Sequence, residues 1–517
     1  MSRPAALTES LLDELRARVR ASTDATYTTT AVFTGGDLAT MPESTVSDVH
    51  TAYEQAARAQ KPWAALDVRA RLQVFERFHA LLLRERETLA DLLQAETGKA
   101  RRDAFEELSE PALVTSYYLR KAAKLLRPKA RAGLLPGAIK AVELRQPKGV
   151  VGIISPWNYP FALALGDLIP ALVAGNAVVL KPDSQTPLSP AYGVDLLYRA
   201  GLPEDLLQVV LGDGPTIGGA VVDTCDYLGF TGSSRTGKLI AEQAGRRLVG
   251  CSLELGGKNP MVILDDANIA GTAKSAVRGC FANAGQLCLS LERIYVHDSI
   301  FDRFAAAFVA ETGKLRQATG YDYGADLGSL TSQRALKTVS EHVDDARAKG
   351  ATVLAGGRPR PDLGPYFYEP TVLTDVTPDM LCHRAETFGP VVSLYPFTTE
   401  DEAVELANDT EYGLNASVFG RDRTRANRVA ARLRAGTVNI NDGYASAFGS
   451  TDAPMGGMGA SGLGRRHGAE GLLRFTEVQT VAAQRMKLLD PPNWVPYGLY
   501  SRMLATSLRL MKKLRLR

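Results

Sequence analysis

From residue 149 onward the chain alternates between short aliphatic runs and longer amphipathic stretches. This alternation restricts the fold more than any other feature. "GVVGIIS" reads as a buried strand, "FALALGDLIPALVAG" as a helix and "NAVVLKP" as a second strand. "SPAYGVDLLYRAG" and "TIGGAVVD" read as helices, and "LLQVVLG" and "CDYLGFTGS" as strands, the last running into a glycine turn. Strand–helix alternation of this kind predicts a parallel, doubly wound α/β sheet with ligand beyond the carboxyl ends of its strands. After "ELGGKNPMVIL" a second α/β stretch begins, through "ERIYVHDSIFDRFAAAFVAETGKL", "TVLAGG", "FYEPTVLTDV", "PVVSLYPF" and "TEDEAVELAND". "EVQTVAAQRM", about 477 to 486, reads as a final strand.

The preceding segment has a helical period. "VSDVHTAYEQAARAQKPWA" is expected to start at a Ser47 cap and end before Pro62. "VRARLQVFERFHALLLRERETLADLLQAETG" continues with three- and four-residue spacing and stops at Gly98, and a further helix runs from about Phe105 to Leu126. Residues 127–148 are broken by Pro and Gly and read as an extended arm.

With 517 residues, 45% hydrophobic and 23% charged, the chain is long enough for two or three domains with a real core. It has five cysteines, an odd number, with no CxxC pair, which argues against a disulfide framework or zinc site and for a reducing, cytoplasmic compartment. No metal is expected. The first twenty residues carry Asp13, Glu14 and Arg16 within their apolar stretch, so they read as an amphipathic helix rather than a signal peptide. No run of about 18 apolar residues exists, so no transmembrane helix is expected.

Net charge is +3, but Arg502, Arg509, Lys512, Lys513, Arg515 and Arg517 crowd the last seventeen residues, which hold no acid. The rest is mildly acidic, which disfavours nucleic acid as a partner. Leu504, Leu508 and Met511 fall at helical spacing between these cations. A solvated, frayed or self-packed terminus is preferred here to a helix lying on an anionic membrane.

Three strand-end loops carry the polar and glycine residues of a dinucleotide site: "SPWNYP" (155–160), "KPDSQTP" (181–187) and "FTGSSRTG" (230–237). Backbone N–H groups at the start of the helix after the third can hold a phosphate. "GDGPTIGG" at 212–219 imitates a G-x-G-x-x-G fingerprint, but Pro215 removes a donor, and the segment is assigned to a surface turn. In "LELGGK", Glu254 sits beside two glycines and among apolar Leu253 and Leu255. Such a carboxylate has a raised pKa and suits a general base; a salt-bridged structural Glu is the alternative. Cys288 ends the small-residue turn "NAGQLC", after Asn283, Gly285 and Gln286. That loop can supply the cavity and donors a thiolate needs, whereas Cys225, Cys251, Cys280 and Cys382 read as small buried hydrophobes.

"PWNYP", "KPDSQTP", "FTGS", "LELGGK", "NAGQLC" and "ETFGPVVS" occur in the order seen in the NAD(P)-dependent aldehyde dehydrogenases, over about residues 30 to 485. The branch the chain resembles is succinate-semialdehyde dehydrogenase, to which "VLKPDSQTP" and "GGMGASGLGRRHG" are similar. The resemblance implies that Cys288 attacks the aldehyde carbon, that the Asn158 amide and the Cys288 N–H form the oxyanion hole, and that Glu254 activates water. It implies that Lys181 binds the adenosine ribose, Gly232 and Ser233 the pyrophosphate, and Glu386 and Phe388 the nicotinamide ribose and ring. Trp157, Asn158, Ser184, Thr236 and Leu255 complete the implied cofactor contacts. Many NAD-preferring members carry Glu three residues after the lysine; here Ser184 stands there, and NADP is expected as cofactor, with NAD weaker. The branch's carboxylate-binding Arg aligns with Gly166, followed by Asp167. A broad aliphatic or aromatic aldehyde dehydrogenase is therefore the runner-up, ahead of a silent relative or a membrane-surface protein. A CoA-acylating variant is disfavoured because the hydrolytic base is present.

The expected architecture is a Rossmann-like cofactor domain of residues 1–126 and 149–256 and an α/β catalytic domain of 257–456. An oligomerisation arm of 127–148 and 470–490, and a basic tail of 491–517, complete it. An extended arm without a partner in its own domain leaves backbone groups unpaired, so a homodimer, possibly a tetramer, is expected.

Overall fold

A computed structural model describes residues 4–132, 139–485, 491 and 493–515. Residues 133–138 of the expected arm, 486–490 after the final strand, and Arg517 of the basic tail lie outside the described residues.

One compact unit comprises Met1–Leu125 and Pro147–Phe475. It contains two sheets whose order explains where the polar loops converge. In the six-stranded sheet the order is Gly462–Leu463, Gly250–Glu254, Tyr227–Thr231, Val150–Ile154, Ala177–Lys181 and Leu207–Val209. All pair in parallel except Gly462–Leu463. The chain starts at the central strand Val150–Ile154, winds one way to Leu207–Val209, then returns to the other side with Tyr227–Thr231. The carboxyl ends of Val150–Ile154 and Tyr227–Thr231 therefore flank a topological switch point, where an α/β sheet opens a crevice.

The seven-stranded sheet runs Thr352–Ala355, Thr371–Thr374, Val391–Phe397, Leu291–His297, Asn259–Ile263, Asn415–Phe419 and Thr437–Ile440. Only the Thr352–Ala355 edge is antiparallel. Its strands are apolar on both sides because helices cover both faces. Ile263, Ile294 and Leu394 pack with Phe281, Phe304 and Phe308 on one side, and Val262, Val418 and Ala416 with Ala403, Ala426 and Val429 on the other. Asn259–Ile263, Leu291–His297 and Val391–Phe397 are parallel neighbours. The segments just before them (Gly256–Lys258, Cys288–Ser290 and Glu386–Pro390) thus gather at one end of the sheet.

The second unit comprises Leu126–Gln146 and Thr476–Arg517. Thr476–Gln484 pairs with Ile139–Pro147, which pairs antiparallel with Lys129–Arg131. Thr476–Gln484 is an edge strand exposed at every position after Thr476. A helix, Tyr497–Lys513, follows.

Several boundaries differ from the sequence reading, each for a local reason. The helix expected from Ser47 is Val46–Ala65; Thr45 caps it, because Asp48 three residues on completes a reciprocal capping box. Pro62 lies within its last turn rather than beyond its end. The following helical stretch divides at Glu85 into Val68–Arg84 and Arg86–Thr97, with Gly98 left-handed (φ 75°) at the stop. The next helix begins at Arg101, not Phe105. Residues 470–475, expected in the arm, are helical to Leu473, and Phe475 is fully buried. Gly462–Leu463, beyond the expected catalytic boundary at 456, is the edge of the first sheet. Among the cysteines expected to be buried, Cys251 is half-exposed; Cys225, Cys280 and Cys382 are buried, and all five are free thiols. No helix among the described residues is long and apolar enough to cross a membrane.

Candidate active site

The loop before Cys288 is built by backbone conformation. Asn283, Ala284 and Gly285 all have left-handed φ values, of 51°, 53° and 72°. Only glycine fits at 285, because a Cβ there would lie 2.0 Å from the carbonyl oxygen of Gly389. The turn is tied down by Gln286, whose side chain donates to the carbonyls of Asn283 (3.2 Å) and Ser329 (3.3 Å) and accepts from the Thr331 N–H at 2.9 Å. Asn259, opening the neighbouring strand, donates to the carbonyls of Cys288 and Ser290, both at 2.7 Å.

Asn158 reaches the same loop. Its Nδ2 donates to the Gln286 carbonyl at 3.0 Å, which leaves its second amide hydrogen for another acceptor. The Asn158 backbone carbonyl accepts from Lys99 Nζ at 2.9 Å and Asn283 Nδ2 at 3.3 Å. Lys99 is paired with Glu107, both fully buried. Glu107 Oε1 in turn accepts from the N–H groups of Phe161 (2.9 Å) and Ala162 (3.2 Å), capping the helix Pro160–Val173 that follows Asn158. The next helix in this sheet, Leu188–Arg199, is capped the same way by Glu96, which accepts from the N–H groups of Leu188 and Ser189, both at 2.9 Å.

Glu254 ends its strand in a buried position, and its Oε1 makes no hydrogen bond among the described residues. Burial pushes its carboxyl up to about 7, against the pull of Arg466 and Arg474. Those two arginines are held by Asp167, at 2.8 Å from Arg466 and 2.5 Å from Arg474. Despite burial, they keep the Asp167 carboxyl below its ordinary range. Glu386 is pushed up to about 8 by burial and by Glu292; its Oε1 accepts the Gly257 N–H at 2.8 Å. A Cβ on Gly256 would come 2.4 Å from Glu386 Oε2, so the glycine pair of "LELGGK" leaves room for this carboxylate. Burial, then Glu254 and Glu386, push the Cys288 thiol up to about 12. Gly257, which donates to Glu386, packs on the Cys288 loop: a Cβ there would lie 3.0 Å from the Cys288 carbonyl oxygen.

A cavity of about 620 Å³ opens at the switch point of the first sheet. Trp157, Lys181, Ser184, Gly232, Ser233, Thr236 and Phe388 all line it. Asn158, Leu255 and Glu386 do not line it; they belong to the ring of residues around the Cys288 and Gly256–Gly257 loops. Trp157 and Phe388 meet edge to face, ring centroids 5.5 Å apart. Phe388, at φ 53°, is held by Glu292, which accepts the N–H groups of Thr387 (3.1 Å) and Phe388 (3.0 Å) and pairs with buried Lys258. Ser233 caps the helix Ser234–Arg246, accepting the Thr236 N–H at 3.2 Å, so the positive end of that helix faces the cavity. Gly237 in its first turn makes room for Leu255, whose Cδ2 a Cβ would approach to 2.5 Å.

Lys181 is buried and its pKa is lowered by that burial, with Asp183 and Asp213 opposing. Ser184 Oγ donates to the Gly212 carbonyl at 2.8 Å. The cavity wall fits a dinucleotide phosphate: a helix start, Lys181, Arg235 and Arg334 all border it. The sequence reading did not pick out the two arginines. It also placed "GDGPTIGG" on the surface; Asp213–Thr216 are exposed, but Gly214 forms part of the cavity rim. Of the buried residues that hold the reactive loops, it missed Lys99, Glu107, Asn259, Lys258 and Glu292. For Glu107 and Glu292 the available signal was a charge inside a helical or strand run.

Residues 19–481 match the model of the aldehyde dehydrogenase family. A protein of Mycolicibacterium smegmatis, provisionally named succinate-semialdehyde dehydrogenase (NADP+), is 56% identical over 483 residues, 93% of each chain. The crystal structure of an E. coli enzyme described as NADP dependent superposes with a TM-score of 0.87 at 34% identity, covering 90% of this chain and 96% of that one. Betaine aldehyde dehydrogenase from Staphylococcus aureus, in complex with NAD+, superposes with a TM-score of 0.87 at 31% identity, covering 94% and 99%.

Proposed function

Because the chain belongs to the aldehyde dehydrogenase family, we propose that it oxidises succinate semialdehyde to succinate, with NADP as hydride acceptor. The observation that carries the chemistry is the convergence of the Asn158 amide and the carboxylates Glu254 and Glu386 on the loop of Cys288.

In this reading Glu254, with an unbonded oxygen and a carboxyl near neutrality, takes the Cys288 proton. The sulfur adds to the aldehyde carbon, and the carbonyl oxygen becomes an anion held by the free Asn158 amide hydrogen and the Cys288 N–H. NADP, when bound, would supply the hydride acceptor for this carbon, which would leave Cys288 carrying a thioester. Glu254 releases that proton to solvent and then deprotonates water, which attacks the thioester; the acid leaves, and the water-derived proton passes to the departing thiolate to restore the thiol. Lys181, Ser184, Gly232, Ser233 and Thr236 would hold the dinucleotide, and Glu386, Trp157, Phe388 and Leu255 its nicotinamide end. Ser184 in place of a carboxylate, with Arg235 nearby, supports NADP over NAD.

A second reading, a broader aliphatic or aromatic aldehyde dehydrogenase, is favoured by one observation. Cys288, like Leu163 and Phe448, packs against an apolar cluster that includes Tyr159, Leu287 and Met455. At Gly166, where the branch's arginine would stand, a Cβ meets Glu110 Oε1 at 3.1 Å, an acidic neighbour. Comparing kcat/KM for succinate semialdehyde, butanal and benzaldehyde with NADP and NAD distinguishes the two. Loss of activity in Cys288→Ala, on the order of a thousandfold or more, tests the nucleophile; an undiminished rate overturns the reading. A homodimer or larger oligomer and a cytoplasmic location complete the proposal, supported by the exposed edge strand Thr476–Gln484 and by five free thiols.

A further inference from the structure

The helix Tyr497–Lys513 presents two different apolar strips. Met511 is buried and Tyr500 and Leu504 are half-buried; at about 100° per residue they share one narrow face. Leu499, Met503, Leu510 and Leu514 form a second stripe beside it, each at least 52% exposed. Next to that stripe, on the side away from the buried face, run Arg502, Arg509 and Lys513. Trp494, 83% exposed, and Tyr497, 65% exposed, stand at the amino-terminal end. From residue 491 to the end the sequence has six basic residues and no acid. Among the described residues, Arg502, Arg509, Lys512, Lys513 and Arg515 make no ion pair.

We propose that this helix docks the protein on an anionic lipid bilayer, with the leucine–methionine stripe at the acyl boundary and the cations at the headgroups. An exposed apolar stripe bordered by unpaired cations and preceded by aromatics is what an interfacial helix requires, and its length and polarity keep it on the surface rather than across the bilayer. A second copy of the chain fits the stripe less well. An isologous contact through it brings two rows of arginine and lysine together with no acid in either segment to neutralise them. An anionic surface satisfies both features at once, and each basic residue near it adds to binding.

The test is co-sedimentation of the full chain with vesicles of phosphatidylglycerol alone and of phosphatidylcholine alone. Retention on phosphatidylglycerol, weakened by added salt and absent on phosphatidylcholine, is expected. R509E/K513E should bind about tenfold more weakly or worse, and M503E/L510E should lose binding. Both should keep the parent's aldehyde-dependent cofactor reduction, showing that they are folded. No retention on phosphatidylglycerol, equal retention on the two lipids, or variants that bind like the parent would overturn the proposal. So would a fall in native mass of M503E/L510E in vesicle-free solution, which would assign the stripe to a second copy.

Discussion

Burial and two neighbouring carboxylates oppose ionisation of the Cys288 thiol, so a base must take its proton as it reacts. Glu254 accepts protons only when ionised, and its carboxyl is pushed up to about 7. The turnover rate should therefore rise with pH through about 7 rather than fall, since the proton-bound form is the inactive one. In Glu254→Gln the rate should drop by roughly 10²- to 10⁴-fold and lose this rise, as measured by steady-state pH profiles. Ser184 gives a second residue-scale test. A Glu here would place a carboxylate beside Lys181 at the cavity wall and repel a 2′-phosphate. Ser184→Glu should lower kcat/KM for NADP by about tenfold or more while sparing NAD, read from kinetics with each cofactor.

At the level of elements, the reactive centre is three loops that open three adjacent parallel strands, and each loop depends on a contact distant in sequence. Gly285 is a case where backbone and packing make the same demand: φ is 72° and the Gly389 carbonyl leaves no room for a Cβ. Gly285→Ala should cost about 1–3 kcal/mol or more and displace Cys288, lowering both the melting temperature and kcat. The Lys99–Glu107 pair joins the Asn158 carbonyl to the start of the helix Pro160–Val173. Lys99→Met leaves a buried carboxylate uncompensated and should cost about 3–5 kcal/mol in denaturant unfolding. Lys99→Met with Glu107→Gln should recover part of that, because the neutral amide oxygen still caps the helix. These anchors were hard to read in the sequence. Glu107 lies 54 residues from Phe161, and Lys99 lies 59 from Asn158. In one dimension Glu107 is a charge in an ordinary helical run and Lys99 a charge in the short turn after Gly98; only packing turns them into a cap and a clamp.

For the whole molecule, the exposed strand Thr476–Gln484 is the outer strand of its three-stranded sheet, and its edge is one that another chain can extend. Val481, 48% exposed, lies within it. Val481→Lys places a charge on that strand and should shift the native mass toward monomer in sedimentation or light scattering, with the monomer's fold retained.

The sequence by itself determined the alternation that makes two parallel sheets, the glycine turns at strand ends, and the loops carrying Asn158, Glu254 and Cys288. Those depend on periodicity and on local backbone freedom, which neighbouring residues dictate. Tertiary structure alone decided that Arg235, Arg334 and Gly214 border one cavity, that buried Glu96 and Glu107 cap helices, and that the tail helix hides one apolar face and leaves another bare. Such features depend on distances between residues far apart in the chain, and no local pattern encodes a distance of that kind.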